Sequence, residues 1–125
     1  MYVVDDDLSV RRALQRLIRS AGFSVETFAS AREFLDFAPR TGTGCLLLDI
    51  HLGGMSGLEM QERLAAQGVK MPVIVITAHD DAITRARVES LGAVAYVAKP
   101  FDDRVLLDAI QKAIQPCAPT NGAAR

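Results

Sequence analysis

Five short, mainly apolar runs alternate with five amphipathic stretches along this chain, and this alternation is the feature that most restricts its fold. The runs are Tyr2–Val4, Phe23–Phe28, Cys45–Asp49, Pro72–Thr77 and Ala95–Ala98. Runs of this length favour buried strands, because globular helices are usually longer. Strands that alternate with helices predict an α/β domain, in which right-handed crossovers join a parallel sheet covered by helices on both faces.

Capping residues predict where the five helices begin. A Ser or Asp side chain can accept hydrogen bonds from the first free amides of a helix, and a Glu three residues later completes a capping box. The predicted helix starts are Asp7 or Ser9, Ser30, Ser56, Asp80 or Asp81, and Asp102 or Asp103. Three glycines that follow periodic stretches predict helix ends, namely Gly22, Gly68 and Gly92.

The composition argues against several classes of function. The chain is 50% hydrophobic and 23% charged, with a net charge of −1, which is ordinary for one globular domain. Direct nucleic-acid binding is not expected, because it would need a strong basic excess. Membrane association is not expected either, because no apolar stretch has the length of a membrane span and the N-terminus is acidic.

The predicted domain covers residues 1–115, and residues 116–125 are predicted to be a linker or a disordered tail. Periodicity stops after Gln115, where Pro, Ala and Gly become frequent. Cys45 lies in a predicted buried strand and Cys117 in this tail, so no disulfide is expected. These features together predict a cytoplasmic protein.

Polar residues at the ends of the strands predict a functional site. Asp5 and Asp6 follow the first strand, Asp49 ends the third, Thr77 ends the fourth, and Lys99 follows the fifth. The carboxyl ends of parallel strands meet at one edge of the sheet, where ligands bind. Carboxylates gathered there repel each other, and an all-oxygen ligand set favours Mg²⁺. With a Lys and a Thr to bind phosphoryl oxygens, we predict that Asp49 is a phosphoryl acceptor.

These residues resemble the motifs of a known family. The matching motifs, in chain order, are Asp5-Asp6, Asp49, Thr77-Ala78, Tyr96 and Lys99-Pro100. The chain is similar to the receiver domain of two-component response regulators over residues 2–115, and most similar to receivers of the FixJ-like regulators, which control LuxR-type DNA-binding domains. The resemblance implies a flavodoxin-like (βα)5 sandwich with strand order 2-1-3-4-5.

The resemblance also implies a set of metal ligands. Asp49 would be the phosphorylation site, and Mg²⁺ or Mn²⁺ would be the cofactor. Asp6 would bind the cation directly and Asp5 mainly through water. The carboxylate of Asp49 and the backbone carbonyl of His51 would complete the protein ligands.

Further roles follow from the same resemblance. Thr77 and the Ala78 amide would hold the phosphoryl oxygens, and Lys99 would pair with them. Tyr96 would be the aromatic switch that turns inward when Thr77 moves, and the peptide bond before Pro100 would be cis. Two further positions, which tune dephosphorylation in the family, are occupied by His51 and His79.

The partners implied by the resemblance are a sensor histidine kinase, a second copy of the chain on phosphorylation, and an output DNA-binding domain in a longer protein. Such a domain is a signalling phosphoacceptor and not an enzyme, although it takes part in its own phosphorylation and slow dephosphorylation. The predicted output face comprises the fourth helix, fifth strand and fifth helix, with candidate contacts Arg85, Arg87, Glu89, Asp103 and Arg104.

Two other functions are compatible with parts of the pattern. One is an aspartyl-phosphate hydrolase, but such enzymes separate their two acids by one residue and carry a cap insertion that this chain lacks. The other is a pseudo-receiver that only binds partners. The sequence also departs from the family at Leu52-Gly53, where a Met-Pro pair is usual, which predicts a more mobile loop and weaker Mg²⁺ binding.

Overall fold

The computed structural model describes residues 1–37, 44–50, 56–68, 71–78 and 81–114. In these ranges five strands and five helices alternate, as predicted. The strands are β1 (Tyr2–Val4), β2 (Glu26–Phe28), β3 (Leu46–Asp49), β4 (Val73–Thr77) and β5 (Ala95–Ala98). The helices are α1 (Leu8–Ser20), α2 (Ala31–Phe37), α3 (Gly57–Ala66), α4 (Ala82–Ser90) and α5 (Asp103–Ile114).

All neighbouring strands are parallel, and the sheet has the order β2-β1-β3-β4-β5. This confirms the predicted flavodoxin-like fold. Strand β3 is central and completely buried, as expected for a continuous apolar strand between two layers of helices.

The second strand is shorter than predicted. It begins at Glu26 and not at Phe23, because it lies at the edge of the sheet and pairs only with the three residues of β1. The backbone amide of Phe23 instead donates a hydrogen bond to the carbonyl of Ile18 at the end of α1. Phe23 thus belongs to the connection that closes α1, and its side chain packs against the core on that side of the sheet.

The hydrophobic core has two layers, because alternate residues of a strand face opposite sides of the sheet. Leu46 and Leu48 pack with residues of α2, α3 and α4, whereas Cys45 and Leu47 pack with residues of α1 and α5. Fully buried helical residues on the two sides include Phe34, Met60, Val88, Leu14, Ile18, Leu106 and Ile110. The sheet is therefore covered by packed helices on both faces, and the pairing of its strands sets the relative positions of the strand ends.

Several helix starts are capped as predicted. The carboxylate of Asp7 accepts hydrogen bonds at the start of α1, Ser56 and Glu59 form the complete capping box of α3, and Asp81 caps α4. Within the described ranges the longest helix is α1, which has 13 residues. Among the helices that the structure describes, none is long and apolar enough to cross a membrane.

Candidate functional site

The strand register brings the predicted site residues to one edge of the sheet. Val4 lies opposite Leu48, so the residues that follow them, Asp5 and Asp49, lie side by side. Asp49 lies opposite Ile76, and Thr77 is the next residue of β4. Thr77 in turn lies opposite Ala98, and Lys99 follows directly. Four side chains distant in sequence are therefore neighbours only because the strands are parallel and in this order.

The acids form a compact cluster. Asp5, Asp6 and Asp49 each offer a carboxylate oxygen, and these oxygens lie within 4.8 Å of one another. Asp5 and Asp49 are buried, whereas Asp6 is exposed. A donor set made only of oxygens fits a hard cation such as Mg²⁺. The cluster could therefore hold a metal ion, with Asp6 as the acid most open to solvent.

Lys99 connects two of these acids. Its Nζ lies 3.1 Å from Oδ2 of Asp5 and 3.3 Å from Oδ2 of Asp49, and its side chain is only 20% exposed. Burial by itself would lower the pKa of Lys99, but its hydrogen bonds with the two carboxylates and their charges raise the pKa above its usual value of 10.5. Lys99 is therefore charged at neutral pH and offsets part of the negative charge of the cluster.

Asp5 uses both carboxylate oxygens within the protein. Oδ1 accepts a hydrogen bond from the backbone amide of Asp7 at 2.9 Å, and Oδ2 accepts the one from Lys99. Burial and the neighbouring charge of Asp49 nevertheless outweigh these hydrogen bonds, and the pKa of Asp5 is raised above its usual value of 3.8. Both carboxylate oxygens of Asp5 are thus engaged within the protein.

Gly57 is a site residue that sequence reasoning did not single out. It is the first residue of α3, and its backbone amide donates to the carbonyl of Ile50 at 2.9 Å. A methyl group at this position would lie 2.7 Å from the carbonyl oxygen of Asp49 and 2.8 Å from Cα of Ile50. A glycine inside the start of a helix, where most residues are better helix formers, was the available signal.

The remaining predicted site residues lie in β4 and β5 or directly follow these strands. Thr77 is completely buried and Ala78 is exposed, and the backbone amide of Lys99 donates to the Thr77 carbonyl at 2.6 Å. The Lys99–Pro100 peptide bond is cis. The Tyr96 ring is partly buried against the core, and the guanidinium carbon of Arg85 lies 4.8 Å from its centre, in a cation–π contact.

The five residues predicted for the output face are all exposed, and they are Arg85, Arg87, Glu89, Asp103 and Arg104. Of these residues, Arg85 also contacts the predicted switch residue, Tyr96. The predictions made for His51, the Leu52-Gly53 loop, His79 and residues 116–125 lie outside the described residues.

The fold and this edge of the sheet together define a class of protein, and comparison with known families identifies the same class. The family model described as the response regulator receiver domain matches residues 1–111. The chain therefore belongs to the receiver domains of two-component response regulators. This membership favours a receiver over a hydrolase.

Individual relatives are transcriptional and other response regulators. Nodulation protein W of Bradyrhizobium diazoefficiens is 44% identical over 115 residues, which are 92% of this chain and 51% of that protein. The solved structure of the response regulator StyR has 47% identity and a TM-score of 0.86, covering 91% of this chain and 58% of that one.

Full-length FixJ from B. japonicum confirms the likeness to FixJ. It has 38% identity and a TM-score of 0.86, covering 94% of this chain and 58% of that chain. The chain spans about half the length of the curated relatives it matches.

Proposed function

We propose that Asp49 accepts a phosphoryl group from the phosphohistidine of a sensor histidine kinase, in a reaction that requires Mg²⁺ or Mn²⁺. The observation that carries this proposal is the pairing of Lys99 with Asp5 and Asp49 at the edge where three carboxylates converge. A purely structural site would gain little from gathering buried acids of like charge. A phosphoryl-transfer site needs both the acids and the lysine.

The chemistry assigns a distinct role to each group. A carboxylate oxygen of Asp49 attacks the phosphorus atom, and the new O–P bond forms as the P–N bond to the kinase imidazole breaks, with a proton taken up by the leaving nitrogen. Asp6 and Asp49 would hold the cation, and Asp5 would hold its water ligands. When bound, the cation neutralises charge on the phosphoryl oxygens.

Lys99 would exchange partners during the transfer. In the unphosphorylated protein its Nζ pairs with Asp5 and Asp49, and a phosphoryl group on Asp49 would offer it oxygens at the same place. The Thr77 hydroxyl and the Ala78 amide would donate to the remaining oxygens. Because Thr77 lies opposite Ala98 in the sheet, a movement of Thr77 would reach β5, the strand that carries Tyr96.

Phosphorylation would then alter the face formed by α4, β5 and α5. A phosphoryl group adds about −1.5 to −2 charges and three acceptor oxygens, enough to bias a two-state region. This face carries an apolar cleft of about 540 Å³ between β5 and α5, with Val94 and Val105 more than half exposed at its surface. Such a surface fits a second copy of the chain, and in a longer protein its state would control transcription through a DNA-binding output domain.

The direct test is chemical phosphorylation without a kinase. Acetyl phosphate and Mg²⁺ should produce one phospho-adduct on the wild-type protein, detected by intact mass, and EDTA should prevent it. Asp49→Asn should abolish the adduct, whereas Asp108→Asn, a change of an exposed acid on α5, should leave it intact. Absence of any adduct on the wild-type protein would favour the pseudo-receiver and refute the proposal.

A further inference from the structure

We propose that Arg11 is a positioning residue for the proposed cation site, because its guanidinium fixes the backbone of the loop that carries Asp5 and Asp6. The inference rests on the proposed function, since it concerns the same cation. It assigns Arg11 a role that the charged face of α1 does not suggest by itself, because Arg11 stands there among several other arginines.

The contact is short and involves a charged donor. Nη1 of Arg11 donates a hydrogen bond to the backbone carbonyl oxygen of Asp5 at 2.7 Å. Hydrogen bonds from an ionised donor are shorter and stronger than neutral ones. Arg11 is partly buried in this arrangement, whereas the next residue, Arg12, is exposed. The two adjacent arginines therefore differ in burial although they carry the same charge.

The carbonyl of Asp5 needs a partner from outside the sheet. Asp5 follows the last residue of β1, and its backbone amide still donates to the carbonyl of Phe28 at 3.1 Å. Its carbonyl lies beyond the paired residues of β1, and Asp5 is 1% exposed. A buried carbonyl without a hydrogen bond is costly, and Arg11 supplies that bond.

Arg11 also helps to fix the loop between β1 and α1, together with hydrogen bonds made by Asp7. Asp7 donates its amide to Oδ1 of Asp5, and its carboxylate accepts hydrogen bonds from the amides of Ser9 and Val10 at the start of α1. The Arg11 contact adds a link from the body of α1 back to the end of β1. The backbone of Asp6 lies between these fixed points, and a carboxylate oxygen of Asp6 lies within 4.8 Å of carboxylate oxygens of Asp5 and Asp49.

The charge and the hydrogen bond of Arg11 have opposite expected effects on a bound cation. The positive charge alone would weaken Mg²⁺ binding, whereas the positioning of Asp5 and Asp6 would strengthen it. Removal of Arg11 therefore distinguishes the two effects by sign. Arg12 provides a matched control, because Arg12→Gln removes the same charge from an exposed neighbouring position.

The test is calorimetric titration of Mg²⁺ into four proteins: wild type, Arg11→Gln, Arg11→Lys and Arg12→Gln. We expect Arg11→Gln to bind Mg²⁺ about tenfold more weakly than Arg12→Gln, the loss typical when a group that orients a metal ligand is removed. Arg11→Lys should recover part of the affinity, because lysine keeps a charged donor but lacks the geometry of the guanidinium.

Equal or tighter Mg²⁺ binding by Arg11→Gln than by Arg12→Gln would overturn the inference. So would a lower melting temperature of Arg11→Gln in EDTA with unchanged Mg²⁺ affinity, since that result assigns Arg11 to stability alone. Wild-type protein that binds Mg²⁺ and forms the acetyl phosphate adduct, together with equal variants, would refute only the role of Arg11. Wild-type protein that does neither would refute the proposed function and this role with it.

Discussion

Lys99 makes the cluster of buried acids compatible with a folded protein in the absence of a cation. Asp5 and Asp49 are both buried beside the exposed Asp6, and burial, together with the smaller effect of repulsion by the charge of Asp49, raises the pKa of Asp5. The Lys99 ammonium lies between the two buried acids and offsets part of this repulsion. In the proposed mechanism, the Lys99 ammonium of the unphosphorylated protein therefore lies where the cation and the phosphoryl group would bind.

Replacement of Lys99 should separate these roles. Lys99→Met removes the competing positive charge, so we expect Mg²⁺ to bind about tenfold more tightly, which corresponds to ~1.4 kcal/mol. Phosphorylation by acetyl phosphate should nevertheless become slower, because the phosphoryl oxygens lose a partner. Lys112→Met is the matched control, since Lys112 is an exposed lysine of α5 paired with Asp108. Equal Mg²⁺ affinities in the two variants would show that the Lys99 ammonium does not compete with Mg²⁺.

The raised pKa values predict how stability depends on pH without a cation. Because the pKa of Asp5 is raised above 3.8, the folded protein binds the proton of the Asp5 carboxyl more tightly than the unfolded chain does. The contribution of Asp5 to the free energy of unfolding therefore falls as pH rises from about 3.8 through the raised pKa. Because the pKa of Lys99 is also raised, its contribution is complete below 10.5 and is lost as pH rises through the raised pKa.

Urea unfolding in EDTA, from acid pH to above pH 10.5, measures the contributions of Asp5 and Lys99 to the free energy of unfolding. The variant Asp5→Asn should lack the decline that Asp5 causes on the acid side, and Lys99→Met should lack the alkaline loss. Wild-type and Asp5→Asn curves that remain parallel from pH 3 to 7 would show that Asp5 does not titrate as described.

At the level of elements, α3 begins directly against the end of β3. Gly57 allows this approach, because its missing side chain leaves room for the backbone of Asp49 and Ile50. The capping box of Ser56 and Glu59 fixes the same helix end by hydrogen bonds. The position of the proposed phosphoryl acceptor thus depends on how closely a helix can pack against its backbone.

Gly57→Ala should disturb this packing. The added methyl group would meet backbone atoms that cannot move independently, so we expect a loss of about 1–3 kcal/mol in the free energy of unfolding and slower phosphorylation of Asp49. Gly92→Ala is a suitable control, because Gly92 has a φ of +97° but no atom within 4 Å of an added methyl group. The control should lose stability and keep its rate of phosphorylation. Normal phosphorylation of Gly57→Ala would contradict the proposed dependence.

The sequence predicted individual elements where local signals were strong. The starts of α1, α3 and α4 were predictable because Asp7, Ser56 and Asp81 are capping residues followed by periodic apolar positions. The start of β2 was predicted wrongly, because the length of an edge strand depends on the strand with which it pairs. Here that strand is β1, which has three paired residues. Pairing partners are not encoded in the apolar pattern of one strand.

At the scale of the whole molecule, the strand order brings residues that are distant in the sequence together at one site. The alternation of strands and helices predicted the parallel sheet, and the polar residues at the strand ends predicted that Asp5, Asp49, Thr77 and Lys99 would meet. The close approach at Gly57 and the contact of Arg11 with the Asp5 carbonyl could not be predicted, because they depend on distances between elements. Helical spacing places Arg11, unlike Arg12, on the side of α1 that carries the buried residues Leu14 and Ile18, but it does not give the distance from Arg11 to the Asp5 carbonyl.

The proposed output face predicts a change of oligomeric state. Beryllofluoride with Mg²⁺, which mimics the phosphoryl group on an aspartate, should convert the protein from monomer to dimer in light scattering. Val105→Glu places a charge on an exposed apolar position of α5 and should prevent dimerisation, whereas Ala66→Glu on an exposed position of α3 should not. An unchanged monomer in beryllofluoride would contradict dimerisation through this face.

Chemical mapping of the acyl phosphate identifies the residue that carries the phosphoryl group, which we propose is Asp49. Protein treated with acetyl phosphate and Mg²⁺ can be reduced with borohydride, which converts a phosphorylated aspartate to homoserine, and then digested and sequenced by mass spectrometry. The structure of the site predicts homoserine at position 49 alone. Homoserine at position 5 or 6 with an unmodified Asp49 would show that Asp49 is not the phosphoryl acceptor.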